Sequence, residues 1–268
     1  MRAAPAKKAG GRTETGVEGM SADTEERKDA RKDGGGKKKK KEKSILQKAN
    51  RKGRHVNGMM MFLRILCIPI MWLIFPYRFY GPRKVKDGAI VYVGNHYTMW
   101  DIVLPPCTTT EGIHFLAKRS LAKSVIGPFC RAVNVIFLDR DGGDMHGVMD
   151  ALRCLKNGEK IAMYPEGTRN KTKDQEMLPF HSGAAMMAIK TKTPIVPIVV
   201  YKKPRHFRMN HVLIGEPFEM TEYYGKKLTQ ELLEEADNSL RDRMIGMKHK
   251  HAAYLESRKR GKKKERQG

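Results

Sequence analysis

Two short polar runs hold the residue types from which a catalytic site is built. In the first, NHYTMWD at 95–101, a histidine precedes an aspartate by five positions, His96 and Asp101. On an ideal helix five residues turn through about 140°, so the two side chains meet only if a turn intervenes. With His96 at the end of a strand and Asp101 in a first helical turn, the carboxylate would accept a hydrogen bond from one imidazole nitrogen and leave the other as a base. Taken alone, the pair admits a second reading in which it only caps or braces the turn. The chain has no GxSxG elbow and no cysteine beside His96, so a hydroxyl activated by this base would belong to a substrate.

The second run, YPEGTRN at 164–170, sets Gly167 and Thr168 between the carboxylate of Glu166 and the guanidinium of Arg169. Glycine lets backbone amides approach an anion, and a guanidinium has the fork geometry that suits phosphate. Arg140, in IFLDR at 136–140, is the natural second arginine for such a group. The alternative is that Glu166 and Arg169 pair with each other or with local backbone.

Positioning these groups requires a sheet. Apolar, β-branched runs at 89–93, 113–117, 133–138, 160–164 and 195–200 read as buried strands. Helical stretches at 144–156, 182–190 and 228–247 alternate with the later strands, the first repeating Val148, Ala151, Leu152 and Leu155 at helical spacing. The expected fold is α/β, a largely parallel central sheet flanked by helices. Ligands of such sheets gather beyond the carboxyl ends of the strands, where His96, Arg140 and Glu166 would all emerge.

Ahead of this domain, residues 58–80 form an apolar stretch interrupted by Arg64 and Pro69, with Trp72, Tyr77 and Tyr80 as interfacial rings and basic residues on both sides. It reads as an amphipathic helical segment lying in one leaflet on the cytoplasmic face of the cell membrane, with a buried core helix as the alternative. The expected layout is a disordered basic extension at 1–54, the membrane-associating segment at 55–81, a catalytic domain at 82–250 and a basic tail at 251–268. The formal net charge of +24 is concentrated toward the ends. It favours a polyanionic partner, anionic membrane or nucleic acid, unless the basic runs are merely solvated. The apolar stretch comes too late for a secretory signal. Four widely spaced cysteines without a CxxC pair suggest neither disulfides nor zinc, and a reducing compartment fits them.

NHYTMWD (95–101), IFLDR (136–140), YPEGTRN (164–170) and TPIVPI (193–198), in that order, resemble the four blocks of the glycerolipid acyltransferase family, most closely the bacterial 1-acylglycerol-3-phosphate acyltransferases. The resemblance spans 59–200. It implies that His96 is the general base and Asp101 its orienting partner. It implies too that Arg140, Glu166, Gly167, Thr168 and Arg169 hold the acceptor phosphate, and that Pro194, Ile195, Val196 and Pro197 shape the acyl site. The implied reaction passes an acyl group from acyl-CoA or acyl carrier protein directly to the sn-2 hydroxyl of lysophosphatidic acid, with no metal, no cofactor and no acyl-enzyme. Glycerol 3-phosphate or another lysophospholipid are alternative acceptors. Implied partners are an anionic membrane surface, the lysolipid and the acyl carrier, and nucleic acid is not expected. The chain departs from the family at His181, where members often carry lysine, and in its basic N-terminal extension. A non-enzymatic membrane or nucleic-acid binder would leave the four ordered blocks without a purpose.

Overall fold

The computed structural model describes residues 58–265 other than 83, 86, 126, 139–144, 173 and 182. The expected N-terminal extension at 1–54 and Arg140 lie outside the described residues. A seven-stranded sheet forms the centre, comprising β1 (Tyr77–Tyr80), β2 (Ile90–Gly94), β3 (Ile113–Lys118), β4 (Val135–Leu138), β5 (Lys160–Met163), β6 (Ile195–Val200) and β7 (Asn210–Ile214). Their order is β1-β7-β6-β2-β5-β3-β4. Every neighbouring pair is parallel except β6 with β7. The α/β, largely parallel sheet read from the sequence is thus the observed architecture.

Both faces of the sheet are covered, which is why its central strands are continuous apolar runs. Val91, Val93, Ile161, Met163, Ile195 and Val199 point to one layer, packed by α3 (His146–Lys156), α4 (Ala184–Thr191) and α5 (Gln230–Glu265). Tyr92, Ala162, Val196, Ile198 and Val200 point to the other, where Met71 and Phe75 at the end of α1 (Gly58–Ile74) meet Leu104. Each fully buried valine, leucine or isoleucine contributes roughly 1.5–3 kcal/mol to these layers. A short helix, α2 (Gly127–Ala132), precedes β4.

The structure differs from the sequence reading at three places. The apolar N-terminal segment is helical only to Ile74, because Pro76 cannot continue a helix. Residues 77–80 instead enter the sheet as β1, paired with β7, and the Tyr77 ring is fully buried rather than interfacial. Strand β7 was not expected, its five residues being short and bracketed by polar loops. The last helix does not stop at 247 but runs on through the basic residues to Glu265.

Helix α1 has two faces. Arg64, an odd residue in an apolar run, donates from Nη1 and Nη2 to the carbonyls of Thr110 and Glu111 at 2.9 and 2.8 Å, anchoring the helix to the domain. Phe62, Ile65, Leu66 and Leu73 are exposed. No helix among the described residues is long and apolar enough to cross a membrane.

One buried acid reports on the packing of the α4–α5 layer. Asp237 on α5 is 2 % exposed, and among the described residues its carboxylate accepts only the Ala185 N–H, at 3.4 Å. Burial pushes its pKa from 3.8 up to about 6, against the opposing pull of that N–H. Between those values the folded chain holds a proton that the unfolded chain has lost, so this stabilising contribution is complete below about pH 4 and fades as pH rises toward 6. Asp237→Asn is therefore expected to raise stability near pH 7 by on the order of 1–2 kcal/mol and to flatten the slope between pH 4 and 6. Chemical denaturation across that range checks it, and an unchanged slope in the variant would contradict the assignment.

Candidate active site

The site is assembled at the carboxyl end of β2. Beyond Gly94 the strand cannot continue its ladder, and the Asn95 side chain takes over: its Nδ2 donates to the Val200 carbonyl at 2.9 Å and its Oδ1 accepts the Val200 N–H at 2.8 Å. This pins the chain to the end of β6 and delivers His96 above the sheet. Gly94 has no side chain because none fits, since a Cβ there would stand 2.7 Å from Cε1 of Tyr164.

Both backbone groups of His96 are held by the YPEGTRN segment. Its N–H donates to Oε1 of Glu166 at 2.8 Å, and its carbonyl accepts the Asn170 N–H at 2.6 Å. Its ring stacks on Tyr164, centroids 4.6 Å apart at 29°. The Tyr164 hydroxyl donates to the Asp101 carbonyl at 2.6 Å, a third hydrogen bond between the two polar runs. Burial pushes the Tyr164 phenol well above its ordinary range, so it remains a donor.

Asp101 is the third residue of the short 3-10 turn Met99–Val103 and is fully buried. Its Oδ2 accepts the N–H groups of Tyr97 and Thr98, each at 2.6 Å, and stands 3.1 Å from Nδ1 of His96. Oδ1 accepts the Thr98 hydroxyl at 2.9 Å. Two backbone donors and a hydroxyl hold the carboxylate in place. The turn between His96 and Asp101 is thus the one that the five-residue spacing requires. With Nδ1 engaged, Nε2 has no hydrogen-bond partner among the described residues, and the imidazole side chain is 19 % exposed. An imidazole oriented this way can accept a proton at Nε2.

Residues 76–201 match the model of the Acyltransferase family. That match bears out the resemblance carried by the four blocks. Among curated proteins, the chain is 31% identical over 171 residues to the 1-acyl-sn-glycerol-3-phosphate acyltransferase alpha of Mus musculus, covering 54% of this chain and 59% of that one. It is 32% identical over 146 residues to the 1-acyl-sn-glycerol-3-phosphate acyltransferase of Haemophilus influenzae, covering 53% and 60%. The chain thus spans somewhat more than half the length of these relatives. Among solved structures, the 1-acyl-sn-glycerophosphate (LPA) acyltransferase PlsC of Thermotoga maritima superposes with a TM-score of 0.51 at 22% identity, over 79% of this chain and 83% of that chain, which shows a shared fold.

The remaining expected site residues divide into groups. Gly167, Thr168 and Arg169 are exposed in the loop beside His96, and Gly167 adopts φ 66°, a left-handed turn that favours glycine. Glu166 is buried and differs from the expectation of a phosphate ligand. Its two oxygens accept the N–H groups of His96 and Leu178 at 2.8 and 2.9 Å, and a buried anion in that position is a backbone brace. Burial raises its pKa, while those two donors pull it back down. Pro194 accepts the Val91 N–H at its carbonyl, and Ile195, Val196 and Pro197 pair with β2 inside the sheet. Ile195 and Val196 are wholly buried in the two opposite core layers, so the contacts they make are those of core residues.

Sequence reasoning passed over four supports. Asn95, Tyr164 and Asn170 lay inside the quoted blocks, but their backbone partners are distant in sequence. Arg241 on α5 gave no signal at all: its guanidinium donates to the carbonyls of Met177 and Leu178, at 2.6 Å for the shortest bond, steadying the segment whose Leu178 N–H reaches Glu166.

Proposed function

We propose that the protein is an O-acyltransferase that moves a fatty acyl group from a thioester, acyl-CoA or acyl carrier protein, to the sn-2 hydroxyl of lysophosphatidic acid, giving phosphatidic acid for phospholipid synthesis. The observation that carries this reading is the His96–Asp101 pair, with Nδ1 against a braced carboxylate and Nε2 open, in a segment matching the Acyltransferase family. The names of the relatives support the acceptor.

In the proposed step His96 Nε2 takes the proton of the acceptor hydroxyl as its oxygen attacks the thioester carbonyl. Asp101 stabilises the imidazolium that forms. Collapse of the tetrahedral intermediate breaks the carbon–sulfur bond, and the thiolate leaves with the proton held by His96. No acyl-enzyme intervenes, and the thioester is a co-substrate rather than a bound cofactor. Arg169, with Arg140, supplies cationic donors to the acceptor phosphate, while Gly167 and Thr168 shape the turn that presents Arg169. Pro194, Ile195, Val196 and Pro197 would support the floor of the acyl site from within the sheet. The exposed apolar face of α1 supports docking on an anionic membrane surface, proposed to be the cytoplasmic face, where both lysolipid and product reside.

The test is transfer of labelled acyl groups from acyl-CoA and, in parallel, from acyl carrier protein to lysophosphatidic acid, glycerol 3-phosphate and other lysophospholipids. Label in phosphatidic acid supports the reading, and label only in another product assigns that acceptor instead. Arg169→Ala is expected to raise the KM for the lysolipid about tenfold or more, with much of the rate recovered at saturation. An unchanged KM would remove Arg169 from the phosphate site.

A further inference from the structure

At the amino-terminal edge of the sheet, opposite the edge that delivers His96, three donor side chains converge. His114 is the second residue of β3, and Glu159 immediately precedes β5. Because β3 and β5 are parallel neighbours with His114 beside Ile161, both side chains leave the same edge. Cys154 reaches them from the last turn of α3, whose exit folds back through Asn157 and Gly158 so that the Glu159 N–H donates to the Cys154 carbonyl at 2.9 Å. One ligand atom from each of His114, Cys154 and Glu159 lies within 4.8 Å of the others.

The polar groups of this cluster are largely buried, the Glu159 carboxylate almost completely. Nε2 of His114 stands 2.8 Å from Oε2 of Glu159, with the side chains 13% and 1% exposed. Among the described residues neither that nitrogen nor either Glu159 oxygen has a well-aligned nitrogen or oxygen hydrogen-bond partner, and the Cys154 thiol is placed to donate to the Glu159 carboxylate. An ordinary ion pair would direct the N–H at the oxygen. An imidazole nitrogen, a thiol and a carboxylate packed together without that alignment form a donor set that a shared cation can bridge. The nearest cation in sequence, Lys160, donates to the Gly88 carbonyl at 2.8 Å and pairs with Glu111 at 2.5 Å.

We propose that His114, Cys154 and Glu159 bind a Zn2+ ion, one imidazole nitrogen, one thiolate and one carboxylate oxygen supplying three corners of a tetrahedron. This mixed borderline-soft and hard donor set suits zinc, and calcium or magnesium would call for oxygen ligands throughout. As the zinc–sulfur bond forms, the Cys154 thiol gives its proton to solvent. The ion ties the end of α3 to β3 and β5. Its position at the far edge of the sheet separates it from the chemistry at His96, so its role is to fix the helix that follows the 139–144 segment.

The test uses the full-length protein stripped with chelator and titrated with Zn2+ and with Co2+. The wild type is expected to take up a single tight equivalent of Zn2+, and its Co2+ complex to show the near-ultraviolet sulfur-to-cobalt charge-transfer band with intense tetrahedral visible bands. Cys154→Ala should remove the charge-transfer band and weaken Zn2+ binding by more than about 100-fold, beyond what loss of an outer-shell partner costs. His114→Gln should weaken Zn2+ similarly while leaving the sulfur band at saturating Co2+. Zinc affinity equal in the wild type and Cys154→Ala, or a wild-type Co2+ complex without the sulfur band, overturns the site. Cys154→Ala changes little volume, and the Co2+ spectrum is read on the wild type, so neither depends on the histidine variant folding.

Discussion

His96→Ala is expected to lower kcat/KM for acyl transfer by about 10²–10⁴-fold, the range a positioned general base contributes. The loss should fall on kcat, because Nε2 acts on the hydroxyl proton in the transition state while the phosphate contacts expected of Arg169 remain. Stability should change far less, since the imidazole is partly exposed and its main packing is the single stack on Tyr164. Such a stack contributes about 0.5–1.5 kcal/mol. Assaying the purified variant with a melting curve alongside separates the two effects. A folded His96→Ala protein with near wild-type kcat would end the role of His96 as base, whatever the acceptor proves to be.

Glu166→Gln is expected to have the next largest effect, through a different route. The carboxylate receives two backbone N–H groups, from His96 and Leu178, and nothing else in its surroundings asks for a donor. An amide can accept at its oxygen, but its NH2 group must then face one of those N–H groups. The buried mismatch costs about 1–3 kcal/mol of stability. It also lets the His96 backbone shift, and displacement of a base by about 1 Å costs on the order of 100-fold in rate. The variant should therefore melt lower and lose kcat, with the lysolipid KM little changed. A large rise in KM with kcat intact would return Glu166 to the phosphate site that the family resemblance implies.

These two residues illustrate different degrees of legibility. The pairing of His96 with Asp101 was readable because its geometry is local: a five-residue spacing forces a turn, and the turn lets one carboxylate collect Tyr97, Thr98 and the imidazole. The family resemblance put Glu166 with Gly167 and Arg169 at the acceptor phosphate. Folding sends its side chain inward to a strand end 70 positions away. Alternate burial of neighbouring residues in a turn is a tertiary outcome, set by which side of the loop faces β2.

The same division runs through the fold. The five strands from β2 to β6 announce themselves as buried apolar runs, since a parallel strand covered on both faces must be apolar throughout. The edge strand β1 and its neighbour β7 do not, because they carry polar residues, Arg78 and His211 among them. Within α1, Arg64 reads as an interruption of an apolar segment, and only its bonds to the carbonyls of Thr110 and Glu111 explain why the charge is there.

By itself the sequence determined the fold class, the order of the four polar blocks and the histidine–aspartate pair, all of which rest on periodicity and on spacings of a few residues. The tertiary structure alone decided which groups brace that pair, where Glu166 points, and that His114, Cys154 and Glu159 meet at the far edge of the sheet. The physical reason is range. Hydrogen bonding within a turn and the alternation of a strand depend on neighbours in sequence, whereas contacts across parallel strands join residues whose separation is set by whole helical connections and leaves no mark in local spacing.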